Sequence, residues 1–185
     1  SHLYQPMLHL TAGLAAALLL LPPSGQTLEL KGQTSFVAVP TQAKLTNFRW
    51  YAFDCCAVYY LTLEMPEGAS ADLGQLHLEQ IRGVEPAFYN GAVPVTAFIG
   101  TPRQEGRSVP VTAAFSEGAR TIDVQFITPV APGETITVAF KAGTNPPADI
   151  YTFSLSATPA GPNPVSQVVG VCLLYTSPSP RDSNL

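Results

Sequence analysis

The chain is poor in charge, histidine and cysteine, and each shortage removes a class of function. Charged residues make up 12% of its 185 positions and sum to a net charge of -4. No cluster of Lys or Arg offers a basic stripe to a phosphate backbone, so nucleic acid is not an expected partner. Beyond the N-terminal apolar stretch His77 is the one histidine. Nucleophilic triads and most metal sites lean on histidine, so no catalytic residues, no metal ligands and no cofactor are expected. A Gly-rich phosphate loop, a Walker pattern and a dinucleotide fingerprint are also absent.

Cysteine occurs at Cys55, Cys56 and Cys172. Neighbouring Cα atoms sit about 3.8 Å apart, below the roughly 4.4 Å at which disulfide geometry begins, and along a strand their side chains point to opposite faces. Cys55 and Cys56 are therefore expected as free thiols, one packed in the core and one on the surface or at a strand start. The alternative is a strained vicinal disulfide or a reactive pair.

One long hydrophobic run stands out, from Leu8 to Leu21, closed by Pro22-Pro23-Ser24-Gly25. It falls short of the about 20 residues that span a bilayer, and its length suits the apolar region of a signal peptide cut near Gly25 or Gln26. A short membrane anchor or a buried helix is the alternative. If Met7 is the start, residues 1–6 are upstream read-through. Residues 1–25 are thus expected to be leader, leaving a periplasmic or secreted protein that is not integral to the membrane once the leader is removed. At the other end, Cys172 to Asp182 matches the translation of a common transposase sequencing adapter. Residues 172–185 are therefore expected to be an added, disordered tail, and the domain to occupy 35–171. Trimmed in this way, about 145 residues remain, enough for a single core.

What fills that span is β-branched and aromatic runs broken by Pro and Gly, the spacing of a sandwich or barrel. Strands are expected at Phe36 to Val39, Ala43 to Phe48, Ala57 to Met65, Leu76 to Ile81, Ala92 to Ile99, Val109 to Phe115, Thr121 to Ile127, Thr135 to Phe140, Ile150 to Ala157 and Ser166 to Val171. Pro94 places its strand at an edge or start, and the charged segment Thr101 to Ser108 reads as a loop. With no long helix and no internal repeat, the expected fold is all-β, a single immunoglobulin-like antiparallel β-sandwich.

Two groups invite a functional reading. Glu64, Glu67, Asp72, Glu79 and Glu85 are dense enough to supply the carboxylate pair of a glycosidase, but no spacing singles out two of them. His77, flanked by Leu76 and Leu78, is expected on a solvent face. The aromatic run Trp50-Tyr51-Ala52-Phe53, ahead of Tyr59-Tyr60, can pack in the core or stack on a partner, and Trp50 and Tyr51 are the candidate binding residues.

Four stretches carry a family resemblance: Tyr59-Tyr60-Leu61-Thr62-Leu63-Glu64-Met65-Pro66, Gln80-Ile81-Arg82-Gly83, Pro129-Val130-Ala131-Pro132-Gly133-Glu134-Thr135-Ile136-Thr137-Val138, and Tyr151 through Gly161. In their order they resemble a family of exported cyanobacterial proteins, domain of unknown function 2808. The stretches are strands and turns, so the resemblance implies architecture and export rather than a reaction. It also implies a last strand running past Gly170, and it assigns Cys55-Cys56 no role. The expected function is that of an exported, non-catalytic module with a structural or interaction role and an unknown protein or glycan partner. A carbohydrate-binding module is the first alternative, a periplasmic hydrolase or metal carrier the second.

Overall fold

A computed structural model describes residues 29, 30, 32–88, 94–116, 118 and 120–180. The expected leader lies outside them. In chain order the strands are β1 (Glu29–Leu30), β2 (Gln33–Thr34), β3 (Thr41–Asn47), β4 (Cys55–Glu64), β5 (Leu73–Arg82), β6 (Val95–Thr101), β7 (Gln104–Val109), β8 (Val111–Phe115), β9 (Thr121–Val130), β10 (Thr135–Thr144), β11 (Asp149–Pro159) and β12 (Gln167–Thr176). A 3₁₀ turn, Glu67–Ala69, lies between β4 and β5, and among the described residues no helix is long and apolar enough to cross a membrane.

Two five-stranded sheets face each other, ordered β3-β4-β10-β6-β7 and β12-β11-β5-β9-β8, with every pairing antiparallel. The alternation in β4 explains the inner layer: Ala57, Tyr59, Leu61 and Leu63 point inward, while Val58, Tyr60, Thr62 and Glu64 point out. Their inward partners across the interior include Leu76 and Leu78 of β5, Ile122 and Val124 of β9, and Phe153 and Leu155 of β11.

Phe88 plugs this interior from a loop. Its ring lies 5.3 Å from Tyr59, 5.3 Å from Phe140, 5.8 Å from Phe153 and 6.2 Å from Phe115, centroid to centroid. Gln80 holds the loop in place from inside the sandwich. Its Nε2 donates to the Glu85 carbonyl at 2.7 Å, and its Oε1 accepts from the Ala87 N–H at 2.8 Å. A buried amide thus supplies the bonds that the loop backbone cannot find in a ladder.

Three expectations need correction. Residues 36–39 are not a strand: the Phe36 N–H and C=O are both taken by the Gln167 side chain, and the Val37 N–H donates to Ala69. Those groups are therefore withdrawn from any ladder, although the Phe36 ring is buried as a strand residue would be. The segment Thr101 to Ser108 is not a loop but mostly β7, paired to β6 through a turn at Pro102-Arg103. Its charges misled because an edge strand faces solvent and is often charged to prevent edge-to-edge pairing. Finally, β12 runs past Val171 to Thr176, burying Cys172, Leu174 and Thr176 alternately, so residues 172–176 are ordered sheet rather than tail. Burial alternates across the expected boundary as a strand requires, although the outward-facing Val171, Leu173 and Tyr175 are apolar as well.

Candidate functional site

Between the antiparallel neighbours β3 and β4 the chain does not turn tightly. It swings out as an aromatic loop, and Asn145, just beyond β10, fixes it. The fully buried Asn145 side chain donates through Nδ2 to the carbonyls of Arg49 (2.6 Å) and Tyr51 (2.9 Å). Its Oδ1 accepts from Asn47 Nδ2 (3.2 Å) and the Tyr59 hydroxyl (2.9 Å). The Asn145 backbone adds a bond to the Asp54 carbonyl (2.9 Å) and one from the Phe53 N–H (3.2 Å). From the far side the Ala52 N–H donates to Ser177 (2.8 Å), whose own N–H donates to Trp50 (2.7 Å).

Those bonds leave the loop backbone one conformation. Ala52 turns inward and is buried, while Trp50, Tyr51 and Phe53 remain 49%, 36% and 61% exposed. The Trp50 and Tyr51 rings lie 6.1 Å apart at 51°. Aromatics held in water by a rigid backbone have paid their ordering cost before any partner arrives. Trp50 and Tyr51 are therefore exposed and brought together, with Phe53 beside them.

Two grooves flank this loop. One, of about 340 Å³, runs over the outer face of the β3-β4 sheet between Phe48 and Arg103, with Gln42, Thr62 and Glu64 on its floor. The Arg103 guanidinium lies 4.8 Å over the Phe48 ring, and Phe48 lies 5.6 Å from Tyr60. Gln42 donates to Glu64 at 3.1 Å. The other groove, of about 400 Å³, separates β3 from β12 and ends at Trp50.

His77 faces outward from β5, and its Nδ1 lies 2.7 Å from Asp123 Oδ1, which also accepts from Gln75 at 3.1 Å. Ser156 of β11 sits opposite His77 on the other side, so hydroxyl, imidazole and carboxylate form a row across three strands. An acyl-transfer triad uses the same side chains. Here, however, β11 lies inside its sheet between β12 and β5, and the His77 ring bonds to Asp123 with no hydrogen bond to Ser156 among the described residues. Among the described residues, no three of His, Cys, Asp or Glu are grouped to hold a metal ion.

The two adjacent cysteines depart from expectation. Both are exposed, not one buried and one exposed. Thr144 pairs with Cys55 and Gly143 with Ala57, so Cys56 is an extra residue in a bulge, and its φ of 67° breaks the alternation that would have turned one thiol inward.

A two-sheet β-sandwich with a braced, exposed aromatic loop is thus the class of protein defined here. The chain belongs to the family described as protein of unknown function (DUF2808), whose model matches residues 33–175, from the start of β2 almost to the end of β12. Among solved structures, that of BslA, a bacterial hydrophobin, is similar over 77% of this chain and 96% of that one, at 13% identity and a TM-score of 0.46. No curated protein matches.

Proposed function

We propose that the chain is an exported, non-catalytic β-sandwich module, acting in the periplasm or outside the cell, that engages a protein partner through Trp50, Tyr51 and Phe53. The observation that carries this reading is the bracing by Asn145. A buried amide that donates both its N–H bonds to the carbonyls of an exposed aromatic loop, while Asn47 and Tyr59 anchor its oxygen, is costly to keep unless the exposure serves a purpose. The apolar leader ahead of Gly25 supports export. The label immunoglobulin-like draws support from strand order, since β3-β4-β10-β6 and β12-β11-β5 follow the A-B-E-D and G-F-C arrangements of that fold. The further strands β7, in one sheet, and β8 and β9, in the other, extend both sheets beyond it.

The test is a photo-crosslinking side chain placed at Trp50 and, as a control, at the exposed Thr96 on a sheet face, in cells making the full chain. A specific protein adduct at position 50 and none at 96 is expected. Equal adducts at both positions, or none at 50, would defeat the reading.

Glycan binding is the second reading, favoured by the Phe48 groove, whose aromatic wall and polar floor of Gln42, Thr62 and Glu64 match the surface of a sugar ring. A glycan array separates the two: sugar binding lost in Phe48→Ala but kept in Trp50→Ala would favour the groove.

A further inference from the structure

The Phe48 groove takes one wall from each side of its sheet. Phe48 follows β3 at one edge, whereas Arg103 lies in the turn from β6 to β7, with β4 and β10 between them. The Arg103 guanidinium nevertheless lies 4.8 Å over the Phe48 ring, so the outer face is concave, and Thr137 on the middle strand is fully buried.

The hydroxyls on this face fix their own polarity. Thr137 donates to the Gly100 carbonyl at 2.7 Å, so in the 2.9 Å contact between Thr137 and Thr62 the donor is Thr62. Thr62 therefore has only lone pairs left for a ligand. Glu64, further along β4, is an acceptor as well: Gln42 donates to its Oε2, and its Oε1 has no partner among the described residues.

Two cations line the groove with these acceptors. Lys44 stands opposite Thr62 in the ladder, and neither its ammonium nor the Arg103 guanidinium has a hydrogen-bond or ion-pair partner among the described residues. Contact with the Phe48 ring steadies the guanidinium without using its N–H groups, which are left to take a carboxylate through two parallel bonds.

We propose, on the glycan reading of this groove, that it seats a hexuronate residue of an acidic polysaccharide. The occupant must bring an anion to Arg103 and Lys44 and hydroxyl donors to Thr62 and Glu64. A neutral sugar leaves both cations unmatched. A phosphodiester backbone repeats its charge, offers few hydroxyls and is repelled by Glu64. A sugar acid carries one carboxylate and several hydroxyls on a single ring. The volume of about 340 Å³ lies at the lower end of the roughly 300 to 1,000 Å³ usual for small-ligand sites, which suits a short stretch of sugar units. The chain's net charge of -4 repels a polyanion, so attraction has to come from this local placement. Trp50 and Tyr51 do not line the groove, and what they contact is a separate matter.

The test is affinity electrophoresis of the full chain in gels holding polygalacturonate, alginate or hyaluronate, each beside its methyl ester, which keeps the sugar rings and removes the charge. Retardation by at least one acid, weakened at least about tenfold by esterification, is expected. Arg103→Gln and Lys44→Gln should each weaken it about tenfold, as loss of a charge-assisted hydrogen bond does. Arg103→Lys, which keeps the charge but not the fork, should recover only part. Both side chains are exposed, so the variants should melt with the unaltered chain. Retardation by the esters equal to or above that by the acids would overturn the hexuronate assignment and leave the glycan reading standing. No retardation by any acid or ester would remove both. Retardation undiminished in the double variant Lys44→Gln, Arg103→Gln would put the acid elsewhere on the protein and likewise overturn the proposal.

Discussion

The Tyr59 hydroxyl donates a 2.9 Å hydrogen bond to Asn145 Oδ1, and both side chains are sealed from solvent. Tyr59 belongs to the inner layer of β4 and packs against Phe88, whereas Asn145 holds the aromatic loop. Core and candidate binding surface are thus joined at one bond.

Asn145→Ala should therefore act at both places. It strands the Tyr59 hydroxyl and frees the Arg49 and Tyr51 carbonyls, costing about 2 to 4 kcal/mol by the usual range for buried unsatisfied groups. Urea denaturation measures that loss. The chain has a single tryptophan, so Trp50 fluorescence anisotropy reads the loop directly and should fall well below the unfolding midpoint. An unchanged anisotropy would mean that Ser177 and the backbone bonds of residue 145 restrain the loop without the amide.

Gln80→Leu tests the device that seats Phe88. The substitution keeps side-chain volume but removes the partners of the Glu85 carbonyl and the Ala87 N–H. A loss of about 2 kcal/mol is expected, despite a more apolar core, because two backbone groups become unsatisfied. Stabilisation would show that water satisfies the loop just as well.

Much of the scaffold is legible in the residues themselves. Expected Ala57 to Met65 and observed Cys55–Glu64 differ only at the ends, because period-two alternation in β4 is strong. Residues whose role depends on distant partners are not legible. Phe88 follows Val84-Glu85-Pro86-Ala87, which has no period, and Asn145 sits before Pro146-Pro147 in what reads as a plain turn. The exposed Trp50 and Tyr51 could be named from composition, but the residue that fixes them lies 94 positions after Tyr51. Asp123, the partner of His77, carries no local signal either, since cross-strand register is set by the whole sheet.

Gly100→Ala should be severe for a steric reason. Gly100 has φ of 113°, and a Cβ there would collide with the carbonyl oxygen of Gln104 in the paired strand, which is backbone and has little room to retreat. A loss of about 2 kcal/mol or more is expected. Gly68→Ala, where a Cβ meets open space, should stay within about 0.5 kcal/mol and serves as the control.

Alkaline pH should weaken the fold. Burial pushes the Cys172 thiol up to about 11 from 9.0, and burial with Asp149 and Glu85 nearby pushes the Tyr151 phenol up to about 12 from 10.0. Burial moves Tyr59 in the same direction. In each case the folded chain holds its proton more tightly than the unfolded chain. The stabilisation is complete below the unfolded values and drains away as pH rises through the folded ones. The urea midpoint should be flat below about pH 8 and fall between about pH 9 and 12, with a shallower fall in Tyr151→Phe. A midpoint constant to about pH 12 would contradict the assignment.

The double variant Trp50→Ala, Tyr51→Ala separates packing from recognition. Both rings are substantially exposed, and the loop is held by backbone and Asn145 bonds that alanine leaves intact. The fold should lose no more than about 1 kcal/mol, the ordinary range for surface positions, while crosslinking from a probe at the neighbouring Phe53 to the partner disappears. If instead the double variant unfolds early, with a loss of about 3 kcal/mol or more as for buried aromatics, the rings are structural and the aromatic loop is not a contact surface.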